Sequence, residues 1–557
     1  MNRKKKVGLA SFVLTVSIAF SCTAQNIAEK LPFEMPQVNV PVFKTDTFNI
    51  KKFGAINDGI TLNTKAINNA IEACAKNGGG VVYIPSGLWV TGPIVLRSNV
   101  NLHLVKGALV LFSRDINDYP LVNSYFEGLR TVRCQAPVSA ENAENIAITG
   151  GGVINGAGDA WRPVKKSKLT QTQWTNLIKS GGVVDKSGNT WYPSEKSLKG
   201  YNTQEAGYLG PNAKIEDYEA IKDFLRPVMI GLVGCKNVLL DGVTFQNSPS
   251  WCVHPLMCEH FTMRNVNVSN PWYAQNGDGI DIESCRIGTV TNCTFDVGDD
   301  ALCIKSGKNE EGRKRNKPTE LFVISNCEVY HGHGGFVIGS EMSGGVRNLY
   351  VSNCTFLGTD IGLRFKTTRG RGGIVENIYI SDISMINIPA DAIGFDMYYG
   401  GTSPVPEADE KQTEKPAPTD KFPAVNEGTP QFRNLYVKNI SCNGAQRAIF
   451  LQGLPEMYIR NINLENISIK ATTGLSCIEG QDIHLKNVNL EISKGDIAAI
   501  NNSKNVDLEN ITGKGPGKFI KVSGKETEKV NLKKIGTELT SHNFVVEGDV
   551  KAGVVLK

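Results

Sequence analysis

Apolar and polar residues alternate in short runs along most of the chain, and helical periodicity is nearly absent. The runs "NVLLDGVTF", "HFTMRNVNV", "ELFVISNCEV", "NLYVSNCTF", "NIYISDISM", "NLYVKNISC", "DIHLKNVNL" and "NVDLENITG" return about 23 to 29 residues apart. Each is a brief period-two segment that ends in Asn and an apolar residue, the pattern of a strand running into a turn. Strands at that interval predict a solenoid whose coils stack their inward aliphatics at about 4.8 Å. The fold class read from this pattern is all-β, a right-handed parallel β-helix. The recurrent asparagines are expected to stack as a ladder that satisfies turn backbone groups.

One stretch follows another period. In "TKAINNAIEACAKNGGG" the residues Ala66, Ile67, Ala70, Ile71 and Cys74 fall on one helical face, and the glycines at 78 to 80 end it. This predicts an N-terminal helical cap over the open end of the solenoid, whose bare edge would invite aggregation. Interruptions near 161–226 and 399–432 read as inserted loops, the first rich in Trp, Tyr, Lys and Gly, the second in Pro, Glu and Lys. The whole of 45–557 then reads as a single β-helix domain.

Composition changes the picture in three places. At 557 residues the chain exceeds one ordinary globular core, a limit that a repeat architecture escapes. Hydrophobic residues at 41% and charged ones at 21% exclude wholesale disorder and a polytopic membrane protein. Arg3, Lys4, Lys5 and Lys6 followed by the apolar run 7–20 read as an export signal. Residues 1–24 would be its extent if cleavage follows Ala24; a lipoprotein signal ending at 21 would instead leave Cys22 lipidated. The expected compartment is the periplasm or the outer membrane of a bacterium, with membrane attachment only through Cys22. Loss of the four basic residues takes the formal +5 close to neutrality, so charge gives no support to a nucleic-acid partner, and a monomer is expected.

Of the thirteen cysteines, Cys293, Cys327 and Cys354 occupy the apolar slot after Asn. Val266, Ile440, Ile462, Val488 and Ile511 stand in that slot elsewhere. A position that takes Cys, Val or Ile faces inward, so buried thiols are expected rather than a disulfide framework.

Candidate chemistry centres on acids. "VGDDALCIKSG" sets Asp299 beside Asp300, which repel each other when ionised, and "NGDGIDIES" places Asp278 about one coil earlier. "HGHGG" carries His333 about one coil later, once the polar excursion "KNEEGRKRNK" is discounted. In "GLRFKTTRG" Arg364 and Lys366 alternate onto one side of a strand. These six residues are expected to form one vertical patch on consecutive coils. Asp281, Glu283, Lys305 and Glu341 lie near it in sequence without an assigned role. Arg313, Lys314, Arg315 and Lys317 read as a solvated basic loop.

The motifs "NGD", "GDD", "GHG" and "RFK", in that order and spacing, resemble those of glycoside hydrolase family 28, the polygalacturonases and related pectin hydrolases. The early "FGAINDGITLNTKAINNAI...GGGVVYIP" is similar to the N-terminal cap of that pectin lyase-like superfamily, so the likeness spans most of the mature chain. The family's first motif carries Thr where this chain has Gly277, an exchange expected to be tolerated because the acid is retained. The resemblance implies inverting hydrolysis of α-1,4-galacturonosidic bonds in a pectic polysaccharide or oligogalacturonide, without metal or cofactor. It implies Asp299 as the general acid, Asp278 and Asp300 as the pair that holds and deprotonates water, and His333 as a group that tunes the acid. Arg364 and Lys366 would bind a galacturonate carboxylate, and Tyr398 with Tyr399 would stack on sugar. Inverting carboxyl pairs typically stand about 6.5 to 9.5 Å apart, and crowding by two carboxylates is one way to raise Asp299 into a working range.

Alternatives stay open at this point. The backbone could be homogalacturonan or a rhamnogalacturonan, since the reaction at the galacturonate is the same, and the bacterial exo-type look of "NPWYAQNGDGID" and "GHGGFVIGSEMSGG" tilts the reading toward exo-action. A pectate lyase shares the β-helix but uses carboxylates to hold Ca²⁺; "GHG" and "RFK" favour hydrolysis over it. A non-catalytic polysaccharide-binding solenoid would leave the acid patch without a purpose.

Overall fold

Parallel pairing carries the chain from coil to coil in the computed structural model, which describes residues 31–208, 210, 213–400, 422–537, 540, 543–548 and 550–556. Met1–Glu34 forms a unit of its own. The export signal, its cleavage after Ala24 and lipidation of Cys22 therefore lie outside the described residues, as does most of the second interruption, 401–421.

From Met35 onward the architecture is the expected right-handed parallel β-helix. On one face Val238 pairs with Phe261, Phe261 with Gly288, Gly288 with Phe322 and Phe322 with Leu349. The step from coil to coil varies more than the sequence suggests. It is 21 residues between Ile462 and Ile483, 34 between Gly288 and Phe322 and 57 between Ile378 and Leu435, where the second interruption intervenes.

Inward side chains stack in columns. Ile280, Leu302, Phe336, Leu363 and Ile393 follow one another on successive coils, each fully buried. Each such burial is worth about 1.5–3 kcal/mol. A second column holds Cys354, Ile383, Ile440, Ile467, Val488 and Ile511. Ile462 is not in it: this coil has two Asn-apolar steps, and Ile462 pairs instead with Leu435 and Ile483, leaving the slot to Ile467. All twelve described cysteines are buried and unpaired.

The asparagine ladder is present, with a different set of bonds from the one expected. Asn439, Asn466, Asn487 and Asn510 adopt φ of 56°, 57°, 55° and 54°, the left-handed region that Asn tolerates better than other side chains. Their amides bond one another across coils at 3.0, 2.9 and 2.8 Å. The N-terminal helix spans Thr64–Lys76 and buries Ile67, Ala70, Ile71 and Cys74 against the first coils, while Ala66 is only partly covered.

The interruption near 161–226 is more than a loop. It carries the helices Gln171–Lys179 and Glu195–Tyr201. It also forms a three-stranded antiparallel sheet from Val164–Lys165, Val183–Val184 and Thr190–Tyr192. Val164, Trp174 and Trp191 give it a small core of its own. A further insertion has no counterpart in the sequence reading. Leu121–Phe126 pairs antiparallel with Leu129–Cys134, and the tip of this hairpin reaches the coil that follows the acids. There Gly128 O accepts from Lys308 N–H at 3.3 Å and from Arg315 Nη2 at 3.2 Å, and Glu311 Oε1 accepts from Arg130 N–H at 3.0 Å.

These contacts also revise the basic run. Arg313 donates to the Gly370 and Arg371 carbonyls, and Arg315 is clasped by Glu283 at 2.6 Å. Both belong to or adjoin the short helix Asn309–Arg315. Only Lys314 and Lys317 are exposed as expected. Backbone carbonyls and a buried acid within reach fix the two arginines, which charge counting cannot foresee.

Candidate active site

Ile280 pairs with Leu302, and Leu302 with Phe336. Counting back two residues aligns Asp278 with Asp300 and Gly334; counting back three aligns Asp299 with His333. The expected stacking of Asp278 on Asp299 is thus displaced by one residue, because the coil is one residue longer than the interval between those two acids. Arg364 pairs with Val337 and lies in the column of Asp281 and Cys303, and Lys366 stands two residues further on, so the patch spreads over several register positions rather than one line.

Two glycines permit this approach. A Cβ on Gly277 would stand 2.6 Å from the Ala274 Cβ, and one on Gly332 would stand 2.8 Å from the Asp299 carbonyl oxygen. The absence of Thr at 277 is therefore a packing requirement of this backbone.

Oxygens of Asp278, Asp299 and Asp300 lie within 4.8 Å of one another. This cluster is tighter than the spacing usual for an inverting pair. Asp300 is buried and doubly paired: its Oδ1 accepts from Arg364 Nη1 at 3.1 Å and its Oδ2 from Lys366 Nζ at 2.7 Å. Burial alone would raise its carboxyl, but the charges of Lys366, Arg364 and Lys305 outweigh that and hold it well below the usual carboxylate range. Asp278 has the opposite fate. Burial and the neighbouring Asp281, Asp299 and Asp300 push it well up, and its Oδ1 has no hydrogen-bond partner. Asp281 is likewise pushed up by burial, with both oxygens unbonded. Crowding by neighbouring carboxylates thus adds to burial in raising both Asp278 and Asp281.

Asp299 is the most accessible of the three, its side chain 20% exposed. Its Oδ2 accepts from Asn276 N–H at 3.2 Å, and its Oδ1 stands 3.2 Å from His333 Nδ1. The bond to Asp299 raises His333 above its ordinary 6.5; burial opposes it, and the charges of Asp299, Asp300 and Asp360 reinforce it. This pairing stabilises the fold fully below the unfolded value and is lost as pH rises through the raised one. NMR titration of His333 should give a midpoint above 6.5 that falls in Asp299→Asn. An unchanged midpoint would mean that Asp299 does not govern the imidazole.

The unassigned residues form the floor. Lys305 Nζ bonds Glu341 Oε2 at 2.8 Å, lies 3.7 Å from Asp281 Oδ1 and sits 4.8 Å from the Trp251 ring centroid. Glu283 joins Arg315 at 2.6 Å to His254 Nε2 at 2.9 Å. Arg226, at the end of the first insertion, braces the loop before Asp278 by donating to Pro249 O, Gln275 O and Asn276 Oδ1.

Tyr398 does not face this site. It is buried in the core under Arg369, which lies 4.9 Å from its ring centroid and pairs with Glu456 at 2.6 Å. Tyr399 takes the place expected of it, with Lys366 at 5.0 Å and Arg364 at 5.7 Å from its ring.

The three acids could be asked to hold Ca²⁺, but both oxygens of Asp300 are already committed to cations, which suits a site short of the six to eight oxygens Ca²⁺ takes poorly. An ionised acid locked by two cations, a second acid pushed up beside it and a third exposed to the groove instead provide for proton transfer in two directions.

Comparison with known proteins agrees with this chemistry. The sequence profile of glycosyl hydrolases family 28 matches residues 212–414, and that of rhamnogalacturonase A/epimerase, pectate lyase-like, matches 47–103. The crystal structure of a hyperthermoactive exopolygalacturonase from Thermotoga maritima is 32% identical, covers 78% of this chain and 89% of its own, and superposes with a TM-score of 0.61. The chain belongs to glycosyl hydrolases family 28. Two further relatives of this family 28 glycoside hydrolase bear related names. An exo-poly-alpha-D-galacturonosidase of Dickeya chrysanthemi is 26% identical over 463 residues, 79% of this chain and 71% of the relative. A probable polygalacturonase of Vitis vinifera is 26% identical over 472 residues, 83% and 81%.

Proposed function

We propose that this family 28 enzyme hydrolyses α-1,4-galacturonosidic bonds from chain ends, with inversion. The observation that carries the reading is the division of labour among the acids. Asp299, groove-facing and bonded to His333, protonates the leaving oxygen. Asp300, held ionised by Lys366 and Arg364, orients the water as an acceptor. Asp278, whose Oδ1 has no hydrogen-bond partner, takes in its ionised form the proton that the water loses. Inversion follows despite the close spacing because Asp300, locked by two cations, is a poor nucleophile and water is the better one.

Exo-action is supported by the hairpin. One coil before Asp278 the same position is held by Trp251, 2% exposed and covered by Phe126 at 4.7 Å between ring centroids. Cover of this kind on one side of the acids suits a site that takes a chain end. The exo-named relatives point the same way.

Incubation with polygalacturonate should release reducing ends without the ultraviolet absorbance of an unsaturated uronate. A single short product should be present from the first time points, and NMR should show it with the opposite anomeric configuration. An early ladder of oligomers would refute exo-action, and a retained anomer would refute the roles given to Asp278 and Asp300. Activity confined to a rhamnogalacturonan would relocate the substrate.

A further inference from the structure

The hairpin carries a cation that the acid cluster does not use. Arg133 is only 9% exposed, and its guanidinium lies over the Phe126 ring, 4.0 Å from the centroid. Its Nε is shut off from solvent without a partner. Among the described residues no hydrogen bond or ion pair reaches any of its nitrogens, and the nearby Glu127 is engaged by Lys308 at 3.5 Å. The other buried guanidiniums of this region are tied down: Arg226 donates to Pro249, Gln275 and Asn276, and Arg162 to Ser248 O and Asn247 Oδ1. A buried cation without an anion is unfavourable unless a ligand supplies one.

Its place matters as much as its solitude. Phe126 packs on Trp251, which lies one coil toward the N-terminus from Asp278. Arg364 and Lys366 stand on the C-terminal side of the acids. The catalytic acids are thus bracketed along the solenoid by cations, one pair and one lone guanidinium. On the lone side a second donor, Gln275 Nε2, is also buried without a partner. An α-1,4-linked galacturonate pair carries one carboxylate on each side of the scissile oxygen.

We propose that Arg133 receives the carboxylate of the uronic acid unit on the N-terminal side of the acid cluster, which makes the hairpin a specificity element. The inference rests on the galacturonan reading above. A planar guanidinium can grip a carboxylate with two parallel hydrogen bonds, and the Phe126 ring 4.0 Å away helps to hold the Arg133 guanidinium in place. The tip contacts to Lys308 and Arg315 fix the hairpin before substrate arrives.

The test is a binding cycle in the Asp299→Asn background, which removes turnover. Calorimetry compares digalacturonate with each of its two monomethyl esters, on Asp299→Asn and on Asp299→Asn/Arg133→Gln. One ester should weaken binding to the first protein by about 30- to 100-fold and leave binding to the second nearly unaltered. The other ester should weaken both equally. Arg133→Lys should restore part of the loss, since charge without the fork remains. A disturbed hairpin alone would lower affinity for all three ligands together and would not single out one ester. Equal sensitivity of both proteins to both esters overturns the assignment. Absence of any digalacturonate binding overturns it as well. Wild-type protein that shows the ester-selective pattern through Arg133 yet releases no reducing ends would sink the hydrolase reading and keep the uronate site.

Discussion

Asp299→Asn should fold normally and release reducing ends from polygalacturonate at least about a thousand-fold more slowly than the wild type. Positioned general acid catalysis is worth about 10²–10⁴-fold, and Asp299 is the group proposed to give the proton. Asn keeps an oxygen that can accept the Asn276 N–H, now 3.2 Å from Asp299 Oδ2, but it has no acidic proton to give. Folding should change little, because relief of repulsion among three crowded carboxylates offsets the loss of the His333 pairing. Reducing-end assays and thermal unfolding on the same sample separate the two effects. Residual activity within about ten-fold of wild type would transfer the acid role to Asp278, whose raised proton affinity makes it the next candidate.

Lys366→Met should cost about 3 kcal/mol of stability at neutral pH and most of the activity. Lys366 and Asp300 meet at 2.7 Å with side chains 8% and 2% exposed, and breaking such a buried pair typically costs about 3–5 kcal/mol. The lower end applies because Arg364 remains at 3.1 Å. The sign of the pH dependence follows from the depressed carboxyl of Asp300. Its contribution is present above the unfolded value near 3.8 and fades as pH falls through the folded one. The gap between wild type and variant should therefore narrow in acid. Denaturant unfolding at neutral and acidic pH reads this directly, and an equal gap at both would show that the pair is not the cause. Adding Asp300→Asn to the variant should return part of the stability and none of the activity.

The coil architecture was legible because period-two alternation and asparagines at turns are local signals, written into each repeat. The acid motifs were legible for the same reason. Register was not, since a one-residue difference in a turn moves an acid from one column to the next, as it does for Asp278 and Asp299. Tyr398 and Tyr399 illustrate a related limit: sequence puts both beside the cation pair, and only the packing of Tyr398 under Arg369 takes it into the core. The hairpin escaped notice because it belongs to no repeat. Lys305, Glu341 and Asp281 could be seen as charged neighbours of the motifs. Their pairing through Lys305 beneath the acids depends on contacts between residues up to 36 apart in sequence, which no pattern along the chain encodes.

Solenoids are quasi-one-dimensional, each coil touching only the next, so their ends can fray without consulting the middle. The hairpin breaks that rule. Its tip spans a sequence distance of 181 residues to Glu311 and 187 to Arg315, tying the early coils to the coil beyond the acids. During synthesis the amino-terminal coils can stack as they emerge, but this fastening cannot close until the helix Asn309–Arg315 has been made. The catalytic coils and the early ones therefore melt as one block, and the active site inherits the cooperativity of a globular domain within a fold that otherwise unzips.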